Sequence, residues 1–130
     1  MYPIHYAAAR GSLEMMELIL QNKNVDVQVI THGGVNAFWI ACFYGYGHIM
    51  KLLAEHNIRV FSCNEDKVTA LHLAVIRDFP QIVEMLLESG FPIDLQTTNG
   101  MTALNLAAHL GRKEIIDILL SFLKSNSNLK

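Results

Sequence analysis

An all-α array of helical repeats, with short β-hairpin fingers between the helix pairs, is the fold this sequence predicts, and three observations predict it. Four segments align when the chain is laid on itself, their starts 33 or 34 positions apart. Each segment is followed by a second amphipathic run, so every unit reads as helix, turn, helix. A glycine or an aspartate separates the two helices of each unit. The composition permits this, because 130 residues that are 52% apolar and 17% charged can bury a core.

The aligned segments are Tyr2 to Gly11, Asn36 to Gly45, Thr69 to Asp78 and Thr102 to Gly111. The runs that follow are Leu13 to Leu20, His48 to Leu53, Gln81 to Leu87 and Lys113 to Leu120. In the third unit Ile82, Val83, Leu86 and Leu87 recur at helical spacing and form one apolar stripe, while Glu84 and Glu88 point elsewhere. Pro80 suits the first turn of that helix, where a missing N–H does no harm. In the first helices the small residues Ala7, Ala8, Ala41, Cys42, Ala74, Ala107 and Ala108 let neighbouring helices approach closely.

Gly11, Gly45 and Gly111 close those first helices where the chain needs positive φ. Asp78 takes that place in the third unit, as Asp visits the left-handed region more readily than most residues. The connections Asn24 to Val35, Arg59 to Val68 and Phe91 to Met101 combine short β-prone stretches with turn formers near Gly33, Gly34, Asn99 and Gly100. They read as hairpin fingers.

With these residues in place, the chain resembles the ankyrin-repeat family over nearly its whole length. Thr69, Leu71, His72 and Ala74, and Thr102, Leu104, Ala107, Ala108 and Gly111, follow the family's T-P-L-H-x-A-A-x-x-G pattern. Pro3, Ile4 and His5 keep it in the first unit. The chain departs from it where Ala37, Ala70 and Ala103 replace Pro, where Trp39 and Asn105 replace His, and where Lys67 replaces a finger Gly. The resemblance implies one array of repeats at about 1–35, 36–68, 69–101 and 102–124, followed by a polar and mobile tail at 125–130. It also implies that His5 and His72 hydrogen-bond adjacent turns together.

Catalysis and ligand chemistry find little footing. A formal net charge of −2 gives no general attraction to nucleic acid or to anionic lipid, and no run of apolar residues is long enough to span a bilayer. Cys42 and Cys63 form no C-x-x-C pair, so no zinc site or disulfide framework is signalled. Cys42 reads as a buried, inert thiol. No nucleophile elbow, P-loop or GxGxxG occurs, so no cofactor or metal is expected. The chain reads as a soluble, intracellular, cytoplasmic protein that is not an enzyme.

What remains is surface. In the family the two positions before the helix-closing Gly face a concave groove, which assigns Phe43 and Tyr44, Ala9 and Arg10, Ile76 and Arg77, and His109 and Leu110 to a groove floor rich in aromatic and Arg anchors. Phe38 and Trp39 read as packing residues. Glu65 and Asp66 make the middle finger tip acidic, suited to a basic partner. The expected function is therefore protein binding through the groove and the finger tips. The rival readings are a structural spacer in a larger complex, or a regulatory repeat domain of a multidomain enzyme or channel. Met1 runs almost directly into the first helix and the last helix carries Ile115, Ile116, Ile118, Leu119, Phe122 and Leu123, so further repeats or another chain are expected against the ends.

Overall fold

Each first helix begins where a polar or aromatic side chain precedes an apolar run, and each second helix follows within a few residues, because the intervening residue at positive φ forces a reversal. The computed structural model describes residues 1–128, with side chains to 126. Its helices are α1 (Pro3–Arg10), α2 (Leu13–Gln21), α3 (Ala37–Phe43), α4 (Gly47–Glu55), α5 (Ala70–Ile76), α6 (Pro80–Glu88), α7 (Ala103–Leu110) and α8 (Lys113–Asn128). The chain divides into two compact units, Met1–Glu65 and Asp66–Lys130, each holding two helix pairs.

In the first unit α1 packs on α2 and α3, and α3 on α4. Ala7, Ala8, Ala41 and Cys42 are fully buried, and around them lie Ile4, Met16, Phe38, Ile49, Met50 and Leu53. In the second unit α5 packs on α6 and α7, and both α6 and α7 pack on α8. Its core holds Leu71, Ala74, Val75, Val83, Leu86, Ala103, Ala107, Ile115 and Leu119, and the stripe Ile82, Val83, Leu86, Leu87 faces inward as its spacing predicts. Ala108 is exposed, in contrast to Ala8, since no described helix lies over it.

The small residues set how closely the helices approach. Ala74 has no exposed surface, so Ala74→Leu must push helices apart or leave its rotamer well. The expected result is a loss of about 1–3 kcal/mol in urea or thermal unfolding. An unchanged midpoint would place Ala74 outside the helix-to-helix contact.

The reversals are as expected: Gly11, Gly45 and Gly111 adopt positive φ, and so does Asp78 at 63°. Lys67, in the finger position that Gly34 and Gly100 hold elsewhere, is also forced to a φ of 59°, a strained conformation for a residue with a Cβ.

The expectation of β-hairpins needs correction. The described residues contain no strand. The turns themselves are formed: Thr31 N–H donates to the Val35 carbonyl at 2.8 Å and Gly34 N–H to that of Thr31 at 2.9 Å, and Thr97 with Met101 and Gly100 with Thr97 repeat the pattern at 3.0 and 2.9 Å. What is missing is the ladder. A two-stranded ribbon is marginal by itself, and these arms are too short to extend it.

The polar tail also differs from expectation over part of its length. Helix α8 runs on through Ser125 to Asn128, since extending an established helix adds one hydrogen bond per residue fixed and no Gly or Pro interrupts it. Leu129 and Lys130 lie outside the described residues.

Candidate functional site

The first turn of each first helix decides which side chains are left for the surface. In the first repeat the Tyr2 N–H donates to His5 Nδ1 at 3.1 Å, and His5 Nε2 lies 2.9 Å from the Val29 carbonyl. In the third, Thr69 N–H donates to His72 Nδ1 at 3.2 Å and Nε2 lies 2.8 Å from the Leu95 carbonyl. A backbone N–H can only donate, so Nδ1 is unprotonated and Nε2–H donates to the carbonyl. Each neutral imidazole thus ties its helix start to the following finger, as the resemblance implies.

In the fourth repeat Asn105 Oδ1 accepts the Thr102 N–H at 3.1 Å in place of an imidazole nitrogen. The second repeat solves the problem differently. Trp39 has no acceptor, and the buried Asn36 makes the tie instead: its Nδ2 donates to the Arg59 carbonyl at 2.7 Å, its N–H donates to Ser62 Oγ at 3.1 Å, and its Oδ1 accepts the Trp39 N–H at 3.2 Å.

Burial holds the His72 pKa below the ordinary imidazole value of 6.5, outweighing hydrogen bonds to the Leu95 and Met101 backbones that act the other way. The unfolded state then binds a proton more readily than the folded state does. The stability this group contributes is fully present above pH 6.5 and is lost as pH falls below that value. Unfolding free energies measured from pH 7.5 down to 5 should show this decline, and the His72→Asn variant should show less of it. Equal pH slopes for the two proteins would remove His72 from the account.

Trp39 lines an open apolar pocket of about 260 Å³, together with Met1, Ala9, Thr31, Val35, Ile40, Phe43 and Tyr44. All of these belong to the first unit. Trp39 stacks on Phe43 with ring centroids 5.9 Å apart, and Phe43 meets Tyr44 edge-on at 5.0 Å. Tyr44 stacks on Tyr46 at 6.2 Å, and Tyr46 meets His48 edge-on at 6.1 Å. These rings form a continuous run in which the middle member, Tyr44, remains 48% exposed. Phe43 and Trp39 are half-buried, and Arg10 at the end of α1 is exposed.

The reading of Phe38 as core is correct, whereas Trp39 is a wall of the pocket and not only packing. Thr31 and Val35, which also line the pocket, were missed. The signal for Trp39 was present as an Asn three residues before a Trp at the His position, but only the contacts to Arg59 and Ser62 give it meaning.

In the second unit Ile76, Arg77, His109 and Leu110 are all exposed. The Arg77 guanidinium lies 6.0 Å from the Phe79 ring centre, within the range of a cation–π contact. Arg112 donates from Nε and Nη2 to the Val75 and Ile76 carbonyls at 3.2 and 2.8 Å, placing a cation on the C-terminal end of α5. Glu65 and Asp66 are exposed, and the Asp66 carbonyl accepts both the N–H and the hydroxyl of Thr98 at 2.9 Å. Cys42 is fully buried, and burial pushes its thiol up to about 12, the reverse of what a nucleophile needs. Among the described residues no helix is long and apolar enough to cross a membrane.

A family profile described as ankyrin repeats (3 copies) matches residues 1–62 and 49–130. Two curated relatives from Oryza sativa subsp. japonica match part of the chain. One, named Probable E3 ubiquitin-protein ligase XBOS33, is 36% identical over 62 residues, 48% of this chain and 11% of that protein. The other, named Probable E3 ubiquitin-protein ligase XBOS32, is 34% identical over 58 residues, 45% of this chain and 12% of that protein. The matched stretch is thus about a tenth of each relative's length.

Proposed function

Since this chain belongs to the ankyrin-repeat family, we propose that it is a protein-interaction module that binds a partner through its first-helix faces and finger tips and performs no chemistry of its own. The observation that carries this reading is the aromatic run on the first unit, where Tyr44 stands half exposed beside an apolar pocket. Large aromatic side chains left in water at such a place favour burial against a partner. In the second unit Ile76, Arg77 and His109 offer a second patch of anchor-type residues. The acidic pair Glu65 and Asp66 acts on association rate and salt dependence. An intracellular setting suits the chain, as neither Cys42 nor Cys63 is in a disulfide.

The test is affinity capture with the whole chain and with two variants, Tyr44→Ala and Arg77→Ala, each checked by an unfolding curve. Binding of the retained protein should weaken about tenfold or more for at least one variant, while the unfolding midpoints stay close to that of the parent. If binding instead follows the folded fraction, these side chains serve packing and the interaction surface lies elsewhere.

A second reading comes from the names of the two relatives. In it the repeats recruit a protein to a ubiquitin ligase of which they form one part. It differs from the first in its consequence: a captured protein would be ubiquitinated by the longer polypeptide in a Tyr44-dependent manner, whereas a simple binder or spacer would leave it unmodified.

A further inference from the structure

We propose that the outer side of the first repeat binds the outer side of the fourth repeat in a second copy of this chain, so that copies associate head to tail. The inference goes beyond the binding reading above and uses neither the aromatic run nor the finger tips. The repeat register carries it, because equivalent positions show both what each bare side lacks and what kind of surface covers it.

Tyr6, Met15 and Leu18 stand exposed on α1 and α2, Tyr6 at 56% and Leu18 at 62%. One repeat later the same positions hold Ile40, Ile49 and Leu52. Ile40 and Ile49 are buried and Leu52 is half-buried, on helices α3 and α4 that pack on α1 and α2. In the fourth repeat they hold Leu106, Ile115 and Ile118, with Ile115 buried and the other two half-buried, on helices α7 and α8 that pack on α5 and α6. The side of a repeat that meets the preceding helix pair is therefore apolar throughout, and in the first repeat it is bare. A repeat built to end an array carries polar residues there; this one carries Tyr, Met and Leu.

The fourth repeat is bare on the opposite side. Ala108 is exposed, whereas Ala8 and Val75 at the same position are buried, on helices α1 and α5 that α3 and α7 pack against. Leu120 is 49% exposed, whereas Leu87 at that position on α6 is buried and lines one groove with Ile118 and Phe122 of α8. Ile118 holds the register position of Leu18. The pairing of Leu87 with Ile118 can thus be made once more, by Leu120 of one copy with Leu18 of the next, and in the same arrangement α1 of the next copy covers Ala108. Each bare side is the complement of the other, and burying both removes large apolar side chains from water. A head-to-tail contact leaves a free side at each end, so association continues past a dimer unless the copies close into a ring.

The experiment is sedimentation velocity on the full chain at rising concentration, where the parent should pass from monomer to larger species. Leu18→Glu and Leu120→Glu each put a carboxylate on one of the two sides, at exposed helix positions that Glu suits. Their unfolding midpoints, read at a concentration where the parent is monomeric, should stay near that of the parent. Each variant alone should associate at least about tenfold more weakly, because the contact would bury an unpaired charge. An equimolar mixture keeps one intact pair of sides, Leu120 of the first variant with Leu18 of the second, and should form a dimer that does not grow. That recovery also shows both variants to be folded. A parent that stays monomeric at every concentration overturns the proposal. So does an assembly that either variant leaves unchanged, or a mixture that remains monomeric while the parent associates.

Discussion

Replacing Gly11 with valine is expected to lower the stability of the first unit by about 2–5 kcal/mol, from two causes that act on the same atom. Gly11 closes α1 at a φ of 68° and donates its N–H to the Ala7 carbonyl. A side chain in that conformation costs about 1–2 kcal/mol, and more when it is β-branched. A Cβ built there would also fall 2.7 Å from the Tyr46 ring, whose Cζ and both Cε atoms lie under it. Relieving that overlap means displacing a ring that stacks on Tyr44, at about 1–3 kcal/mol. Gly111 also adopts positive φ, yet nothing lies within 4 Å of its built Cβ. Gly111→Val should therefore pay the backbone term without the steric one. Urea denaturation of the two variants separates these terms, and equal losses would mean that the contact with Tyr46 is not tight in solution.

Asn36→Ala should cost about 2–4 kcal/mol, although the substitution is small. It removes an N-cap acceptor for the Trp39 N–H, worth about 1 kcal/mol, and takes away the donor to the Arg59 carbonyl, for which an unmet hydrogen bond costs about 1–3 kcal/mol when water cannot replace it. The companion change Trp39→His offers a rescue. If an imidazole at 39 makes the tie that His5 and His72 make, the double variant Asn36→Ala with Trp39→His will recover part of the loss, so that the two changes are not additive. Strict additivity in the unfolding free energies would mean that the His and Asn solutions are not interchangeable.

Much of this protein is legible in its sequence, and the legible part is local. The repeat spacing, the Ala positions between helices, Pro80 at a helix start and the apolar stripe of α6 each follow from the periodicity of one helix or the dihedral preference of one residue. So does the prediction that Asp78 turns the chain as Gly11 does. The resemblance to ankyrin repeats added the roles of His5 and His72, which the hydrogen bonds to Val29 and Leu95 bear out.

Tertiary structure decided what depends on partners distant in the chain. Sequence counted Trp39 as packing because it stands at the repeat's His position. It stands in the pocket wall, and Asn36 beside it reaches Arg59 and Ser62, which lie 23 and 26 residues further on. The fingers carry β-prone residues, yet they form turns without strands, since propensity cannot supply a missing neighbour. Helix α8 continues to Asn128 although Ser and Asn disfavour helix, because propagation from a formed helix costs less than starting one. The exposed positions of Tyr44, Arg10 and Arg77 and the place of Ala9 beside them agree with the repeat pattern, but the pocket beside Tyr44 also needs Thr31 and Val35. No periodicity marks those residues, since a pocket is formed by side chains that converge in space, and their order along the chain does not record it.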